Sequence, residues 1–258
     1  MDLRLIRNAT LRVRYRGINL LIDPMLGTRN SIRSLGDVPR RNPTIDLPCT
    51  VDEVLADVDA VLVSHMHPDH FDDAACGVVP RHLPVFCCPG DDDTLTDAGF
   101  EHVVALSEPT TWRGIQITPT AGSHGSGPIG ERMGHVIGVV LRADDEPTVY
   151  WAGDTILTPA VLDTIEREQP DLIITHSSGG ATNGTKIIMD AADTIEIAHA
   201  SPSATIVAVH FEAIAICPIT RDEMRASADA ATIDRSRLLI PADGDTITFE
   251  NIKQPQPA

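Results

Sequence analysis

A cluster of metal-ligating residue types stands within six positions of the chain: His65, His67, Asp69 and His70. The four apolar residues 60–63 precede this cluster and are typical of a short buried strand. His65 and His67 are two positions apart, so their rings would point to the same side of an extended chain, and Pro68 would then turn the backbone. Imidazole nitrogen and carboxylate oxygen suit zinc, manganese or iron(II). The pattern therefore favours a metal site over a polar loop that is merely rich in histidine.

Further residues of ligand type each follow a short apolar run that is typical of a strand: His124, Asp154, His176 and His210. Single histidines are weak signals, but this common placement predicts that all of them lie along one rim of a sheet sandwich. Asp154 comes after a glycine at the end of its run, where a carboxylate could bridge two metal ions. The sequence therefore predicts one site that is assembled from several strands.

The remaining pattern predicts the elements that must position these residues. Strands are predicted within 3–23 and at 85–88, 103–106, 115–118, 136–141, 148–151, 172–175 and 206–209. Helices are predicted at 51–58, 91–98 and 187–198, and after the N-caps Thr158 and Thr220. Asp23, beside Pro24 at a strand end, is favoured as a turn former over a residue that supports a ligand histidine.

The H-x-H-x-D-H string at 65–70, followed in order by His124, by Gly153-Asp154-Thr155 and by His210, resembles the signature of the metallo-β-lactamase-fold hydrolases. The resemblance implies an α/β chain folded as a four-layer αββα sandwich. It also implies two divalent metal ions per chain, with Zn²⁺ as the first choice and Mn²⁺ as the alternative. The implied ligands are His65, His67 and His124 for the first ion, Asp69, His70 and His210 for the second, and Asp154 as the bridge between them.

Within this superfamily the chain most resembles the branch that contains L-ascorbate-6-phosphate lactonase. Three short stretches carry this resemblance: Asn8-Ala9-Thr10, Ile22-Asp23-Pro24 and Trp151-Ala152-Gly153-Asp154-Thr155. It implies a hydrolase that uses a hydroxide shared between two metal ions to cleave a small ester, lactone or phosphoester. The branch holds diverse hydrolases, so the resemblance does not name the substrate.

The candidate catalytic residues are Asp69, Asp154 and His176. His176 has the strand-end position of the ligands but is surplus to the family's set, so a substrate contact or a proton transfer stands beside plain packing as its role. Two alternatives of other classes stay open: an enzyme with one iron, like the persulfide dioxygenases on the same fold, and a non-catalytic metal-binding protein. Serine catalysis is disfavoured because no G-x-S-x-G elbow occurs.

Residues 25–48 show little periodicity and predict an active-site loop, since a connection of this length in a compact domain is usually functional or mobile. The segment holds four arginines against two aspartates, although the whole chain is acidic. Arg40 and Arg41 are therefore predicted to meet an anionic group of a small-molecule substrate, and a solvated loop is the alternative.

The length and composition of the chain limit which other classes of function are possible. The 258 residues fit one domain over 1–258, with 254–258 as a frayed tail. The formal net charge of −17 argues against a general binder of nucleic acid or of an anionic membrane. No apolar run reaches the ~20 residues that span a bilayer, and the five cysteines form no C-x-x-C pair. We therefore expect a cytoplasmic protein without a disulfide framework, and the composition leaves a homo-oligomer open.

Overall fold

Two seven-stranded sheets and one two-stranded hairpin organise the structure, a computed structural model that describes residues 1–34 and 38–249. The strands are Asp2–Arg7 (β1), Thr10–Tyr15 (β2), Ile18–Ile22 (β3), Ala60–Val63 (β4), Pro84–Cys87 (β5), His102–Ala105 (β6), Thr110–Trp112 (β7), Ile115–Ala121 (β8), Ile137–Arg142 (β9), Val149–Trp151 (β10), Leu172–His176 (β11), Ala181–Thr182 (β12), Thr185–Lys186 (β13), Thr205–Val209 (β14), Leu238–Leu239 (β15) and Thr246–Thr248 (β16). The helices are Val51–Leu55 (α1), Asp73–Val78 (α2), Asp92–Asp97 (α3), Gly127–Met133 (α4), Pro159–Glu168 (α5), Ala191–Ala200 (α6) and Arg221–Ala230 (α7).

Apolar and polar residues alternate along β2, and the burial of their side chains follows this alternation. In β2, Leu11, Val13 and Tyr15 are at most 1% exposed, whereas Arg14 points to solvent. The buried face of the strand looks towards the second sheet, where the Tyr15 hydroxyl donates to the Pro147 carbonyl oxygen at 2.8 Å. A period of two with one apolar face is therefore what packs this sheet against its neighbour.

Strand direction determines which strand ends lie at the same edge. The first sheet has the order β16-β1-β2-β3-β4-β5-β6, and the second has the order β15-β14-β11-β10-β9-β8-β7. Both β8 and β10 run antiparallel to β9, and β10, β11 and β14 run parallel to one another. As a result β8, β10, β11 and β14, which precede the predicted ligands of this sheet, all end at one edge.

Three large apolar cores separate four layers. The central core joins side chains of both sheets, such as Leu62 of β4 and Trp151 of β10. The two outer cores pack helices against the sheets: Val54, Ala75 and Leu95 of α1–α3 on the first sheet, and Ile165, Ile197 and Met224 of α5–α7 on the second. This arrangement confirms the predicted αββα sandwich. In the described residues no helix combines the length and the hydropathy that crossing a membrane requires.

The helix predicted over 187–198 begins later than expected. Asp190 is the N-cap of α6, because its carboxylate accepts from the Asp193 main-chain N–H while the Asp193 carboxylate accepts from that of Asp190. The preceding residues are non-helical, since the Ile187 N–H donates to the Gly180 carbonyl and the Gly179 N–H donates to that of Met189. These bonds place Ile187 and its neighbour Ile188 beside the candidate site instead of on a helix.

The predicted connection 25–48 has no helix or named strand among its described residues, and 35–37 lie outside them. Its two arms pair at Ile32 and Asn42, whose main chains exchange hydrogen bonds of 2.7 and 2.8 Å. The buried Arg7 guanidinium fixes both ends, because it donates to the carbonyl oxygens of Met25, Gly27 and Ile45. The predicted tail at 254–258 also lies outside the described residues.

Candidate metal centre

Five strands end at one place, and each leads into residues of ligand type. β4 continues into the segment 64–70, and the second sheet contributes the residues at the ends of β8, β10, β11 and β14: His124, Asp154, His176 and His210. Of the eight candidate residues of the cluster, six are buried and two, His67 and Asp69, are half-buried. The structure therefore brings together the predicted residues from both sheets.

Three imidazoles form the first group of the cluster. His65 Nε2 and His124 Nε2 lie 2.8 and 3.3 Å from His67 Nδ1. His124 Nδ1 lies 2.8 Å from the Ile187 carbonyl oxygen, which can only accept, so Nδ1 is the donor and Nε2 is the nitrogen that faces the cluster. Three imidazole nitrogens that converge in this way match the three-histidine ligand set of zinc sites.

The second group contains His70, Asp69 and His210, with Asp154 beside them. His70 Nε2 lies 3.1 Å from Asp154 Oδ2 and 3.7 Å from Asp69 Oδ2. His210 Nε2 lies 3.5 Å from Asp69 Oδ2, but in the described residues this buried nitrogen has no hydrogen bond of good geometry. A buried polar atom without a partner is costly, and a bound cation would satisfy it. The donor set of the second group therefore fits a metal ion.

The Asp154 carboxylate faces both groups. Its Oδ2 lies 3.6 Å from His124 Nε2 and 3.1 Å from His70 Nε2, and its Oδ1 lies 3.7 Å from His210 Nε2. Gly153 makes this placement possible: its φ is +66°, and a Cβ would come within 2.8 Å of the Ile137 carbonyl oxygen. Asp154 is therefore positioned between the first group and the second.

Burial and the neighbouring carboxylates set the protonation of the cluster. Desolvation lowers the pKa of His65 and His67, which favours their neutral, ligating form. Desolvation acts in the same direction on His70, but Asp154, Asp23 and Asp69 outweigh it and raise the pKa of His70 well above its ordinary value. The pKa of Asp154 is in turn held well below its ordinary value, since His70 and His210 outweigh the effect of burial. A bound divalent cation could replace the proton of His70 as the positively charged partner of the carboxylates.

Asp23 supports a candidate ligand, so the turn-former interpretation favoured by the sequence is wrong. Its Oδ2 lies 2.6 Å from His70 Nδ1 and accepts from the Ser64 hydroxyl at 2.7 Å, while Oδ1 accepts from the Ser64 main-chain N–H at 2.8 Å. The Ser64 hydroxyl also lies 2.9 Å from His65 Nδ1. Because Asp23 engages Nδ1 of His70, Nε2 of the same ring faces the cluster. Sequence reasoning missed Ser64, whose only signal is its position between the buried strand and the first ligand.

His176 lies behind the cluster and not on its open side. Its Nδ1 is 2.6 Å from Asp154 Oδ1, and its Nε2 accepts from the Trp151 indole N–H at 3.3 Å. The side chain is 0% exposed, and both ring nitrogens are engaged within the protein. The predicted substrate contact therefore has no counterpart here, because no ring atom of His176 is free to meet a substrate. The imidazole instead orients Asp154, although its distance to the second group would also suit a ligand.

A narrow pocket opens on the cluster, and beyond the candidate ligands its lining is apolar or small: Gly180, Ile187, Ile188, Ile214, Ile216 and Cys217. Neither Arg40 nor Arg41 contributes to this lining. The Arg41 guanidinium donates to the main-chain oxygens of Asn30 and Ser31 at 2.6 Å each and borders a separate, larger cavity. Arg40 is exposed. The structure therefore does not bring the two predicted arginines to the candidate site.

Asp91, the N-cap of α3, accepts a hydrogen bond from the ligand segment, and its pKa predicts a pH-dependent stability. Desolvation raises the pKa of Asp91 to about 6, against the opposing hydrogen bond from the Met66 main-chain N–H. The folded protein therefore binds a proton that the unfolded chain has lost, so stability falls as pH rises from about 4 to about 6. We expect Asp91→Asn to raise the melting temperature at pH 8 by roughly 2–4 °C, and to leave it unchanged at pH 4, in thermal unfolding followed by circular dichroism. Asp93→Asn, in the same acidic run but exposed, serves as the control; an equal gain from both variants would contradict this assignment.

Comparisons with known proteins agree with this geometry. The family model described as the beta-lactamase superfamily domain matches residues 18–211. The UPF0173 protein YddR of Bacillus subtilis (strain 168) is 35% identical over 96% of this chain and 100% of its own length. The crystal structure of a possible metal-dependent hydrolase from Veillonella parvula DSM 2008 has a TM-score of 0.93 and 33% identity, over 96% of this chain and 99% of that chain. The isothiocyanate hydrolase from Delia radicum gut bacteria has a TM-score of 0.91 and 34% identity, over the same shares of the two chains.

Proposed function

This chain belongs to the UPF0173 family of metal-dependent hydrolases within the beta-lactamase superfamily, and we propose that it holds two divalent metal ions and cleaves a small, uncharged substrate at an electrophilic carbon. One observation carries this proposal: the Asp154 carboxylate lies between the three-histidine group and the second group, and it lines a pocket whose other residues beyond the candidate ligands are apolar or small. The proposed ions are Zn²⁺, with Mn²⁺ as the alternative, because imidazole and carboxylate donors suit both.

The proposed ligand sets follow the two groups. His65, His67 and His124 would hold the first ion, Asp69, His70 and His210 would hold the second, and Asp154 would contact both. Two ions held by these residues would supply an activated water as the nucleophile and would polarise the bond to be cleaved. The protein contributes oriented ligands, since Asp23 and Ile187 fix the rings of His70 and His124.

The pocket lining indicates the substrate class. The side chains of Ile187, Ile188 and Ile214 offer no hydrogen bond and no charge to a substrate. Placing an anionic group against them would cost its hydration without compensation. Among the ester, lactone and phosphoester substrates predicted from the sequence, the lining therefore favours uncharged esters and lactones over phosphoesters.

Isothiocyanates belong to the same substrate class. The relative from Delia radicum gut bacteria is an isothiocyanate hydrolase. An isothiocyanate is small and uncharged, and its central carbon is attacked by water as an ester carbonyl is. The lining beyond the candidate ligands is apolar or small and includes Cys217, which matches the uncharged organic group of such a substrate. We therefore include isothiocyanates beside esters and lactones.

Metal quantification of the protein as purified, paired with a substrate panel, tests the proposal. The panel contains an aryl isothiocyanate, a γ-lactone, an aryl acetate and an aryl phosphodiester. We expect two equivalents of zinc or manganese per chain, and a kcat/KM for the preferred uncharged substrate at least about tenfold above that for the phosphodiester. Protein treated with a chelator and then reloaded with zinc is the matched control.

Three results would contradict the proposal. One iron per chain with oxygen consumption would indicate an oxygenase on the same fold. Full metal loading without turnover of any panel member would indicate a non-catalytic metal-binding protein. Preference for the phosphodiester would contradict the substrate class but not the metal site.

A further inference from the structure

The turn between β1 and β2 is connected to all three residues proposed for the second ion. This turn consists of Asn8 and Ala9, with Arg7 at the end of β1 and Thr10 at the start of β2. The side chains of Arg7, Asn8 and Thr10 are polar, and each residue is 0% exposed. Chain turns normally lie at the surface, so a polar turn that is fully buried indicates a specific role.

Asn8 joins two ligand segments that come from different sheets. Its side-chain amide donates to the main-chain oxygen of Asp69 at 3.2 Å. Its own main-chain oxygen accepts from the N–H of His210 at 3.1 Å. The segment after β4 and the segment after β14 are therefore tied together through a single residue.

Thr10 connects the same turn to the third residue. Its hydroxyl donates to the main-chain oxygen of Asp23 at 2.7 Å, and it accepts from the Met25 N–H at 2.9 Å. The Asp23 carboxylate lies 2.6 Å from His70 Nδ1. Within the part of the chain that the structure describes, no hydrogen bond joins residues 7–10 to His65, His67 or His124. The turn thus bonds directly to the second group through Asn8, whereas it reaches the first group only through Asp23 and the Ser64 hydroxyl beside His65 Nδ1.

Backbone strain occurs at both ends of the Asn8–His210 hydrogen bond. Asn8 has a φ of +60° and His210 a φ of +71°, in the left-handed region that side-chain-bearing residues seldom adopt. Such conformations are unfavourable and persist only where surrounding contacts enforce them. Asparagine tolerates this region better than most residues, which suits it to this position. The strained conformation of His210 is therefore held in part by its bond to the Asn8 carbonyl.

We propose that Asn8 is a positioning residue for the second metal ion, because it fixes the Asp69 segment relative to His210. This inference rests on the proposed two-ion function. Asn8 touches neither substrate nor metal. Without its amide, the Asp69 segment is no longer tied to the turn whose carbonyl oxygen accepts from the His210 N–H. Affinity for the second ion then falls, whereas the three-histidine site keeps its ligands in place.

The test is a Zn²⁺ titration of chelator-treated protein against a chromophoric chelator, which resolves two binding steps. Asn8→Gly keeps the positive φ and the main-chain carbonyl but removes the amide, and Asn8→Asp keeps the side-chain size but removes the N–H donor. Asn183→Gly is the matched control, since Asn183 is exposed and has a φ of +48° in the hairpin turn between β12 and β13. His210→Ala and His67→Ala assign the two steps. Thermal unfolding of each metal-free variant checks that it folds, and Asn8→Asp stands in if Asn8→Gly does not.

We expect the second step to weaken about 10–100-fold in both Asn8 variants, while the first step changes less than twofold. Asn183→Gly should match the unaltered protein in both steps. Equal weakening of the two steps would show a merely structural role and overturn the inference, as would two unchanged steps. A single binding step in the unaltered protein would instead overturn the two-ion proposal itself, and this inference with it.

Discussion

Replacing Asp154 with alanine is expected to abolish turnover and to leave at most one bound metal ion per chain. The reason is geometric, because the Asp154 carboxylate lies within 3.7 Å of His124 in the first group and of His70 and His210 in the second. Polarisation of the scissile bond by metal ions lowers the activation free energy by several kcal/mol, and each ~1.4 kcal/mol changes the rate by a factor of ten. We therefore expect kcat/KM to fall by roughly 10³-fold or more. Steady-state kinetics and metal quantification on the same preparation measure both effects.

Two further variants separate the lost ligand from a general loss of charge. Asp154→Asn keeps the size of the side chain but removes its negative charge, so we expect nearly the same loss of activity and of metal. Asp144→Asn, at an exposed position before the same strand, removes one negative charge outside the site and should leave both unchanged. Turnover of Asp154→Ala within threefold of the unaltered protein, with two ions still bound, would exclude a bridging role.

The assembly of the cluster could be predicted because the signal for each ligand lies in the residues directly before it in the sequence. Each candidate ligand stands at the end of an apolar run, and a run of this kind forms a buried strand. Strand polarity then places the ends of β8, β10, β11 and β14 at one edge. His124, Asp154 and His210 are far apart in sequence, yet their convergence requires only that all these runs become strands of one sandwich.

The supporting residues could not be predicted because their partners are distant in sequence. Asp23 and His70 are 47 positions apart, and an aspartate before a proline is equally typical of a turn. The orientation of His176 depends on Trp151, which is 25 positions earlier and lies in another strand. The pocket lining could not be predicted for a different reason. The apolar spacing that includes Ile187 and Ile188 is also typical of a helix, and a helix is predicted over these residues. There the capping box between Asp190 and Asp193 decides where α6 begins.

The two arginines show what composition leaves open. A local excess of positive charge in an acidic chain indicates an anion-binding loop, but composition does not tell which way a side chain points. Arg41 instead satisfies main-chain oxygens of its own segment. The sequence alone therefore does not distinguish an arginine that stabilises an irregular connection from one that binds a substrate.

Replacing Asp23 with asparagine is expected to destabilise the protein strongly, although asparagine is as good a turn former as aspartate. Asp23 is 0% exposed and interacts with the Ser64 N–H, the Ser64 hydroxyl and His70 Nδ1. Asparagine keeps one acceptor oxygen but places an amide N–H₂ where the carboxylate now meets the hydroxyl and the imidazole. Breaking a buried charged pair from one side costs about 3–5 kcal/mol, which corresponds to a fall of roughly 6–20 °C in melting temperature for a chain of this size.

Asp57 offers the matched control for this prediction. Its φ is also positive, at +55° compared with +44° for Asp23, but Asp57 is exposed. Asp57→Asn should therefore change the free energy of unfolding by less than about 0.5 kcal/mol. Zn²⁺ titration should also show a 10–100-fold weaker second step in Asp23→Asn, because the His70 ring loses the partner that orients it. If Asp23→Asn unfolds at the same temperature as Asp57→Asn and binds both ions normally, Asp23 serves the turn alone, and the imidazole of His70 is oriented by the rest of the cluster.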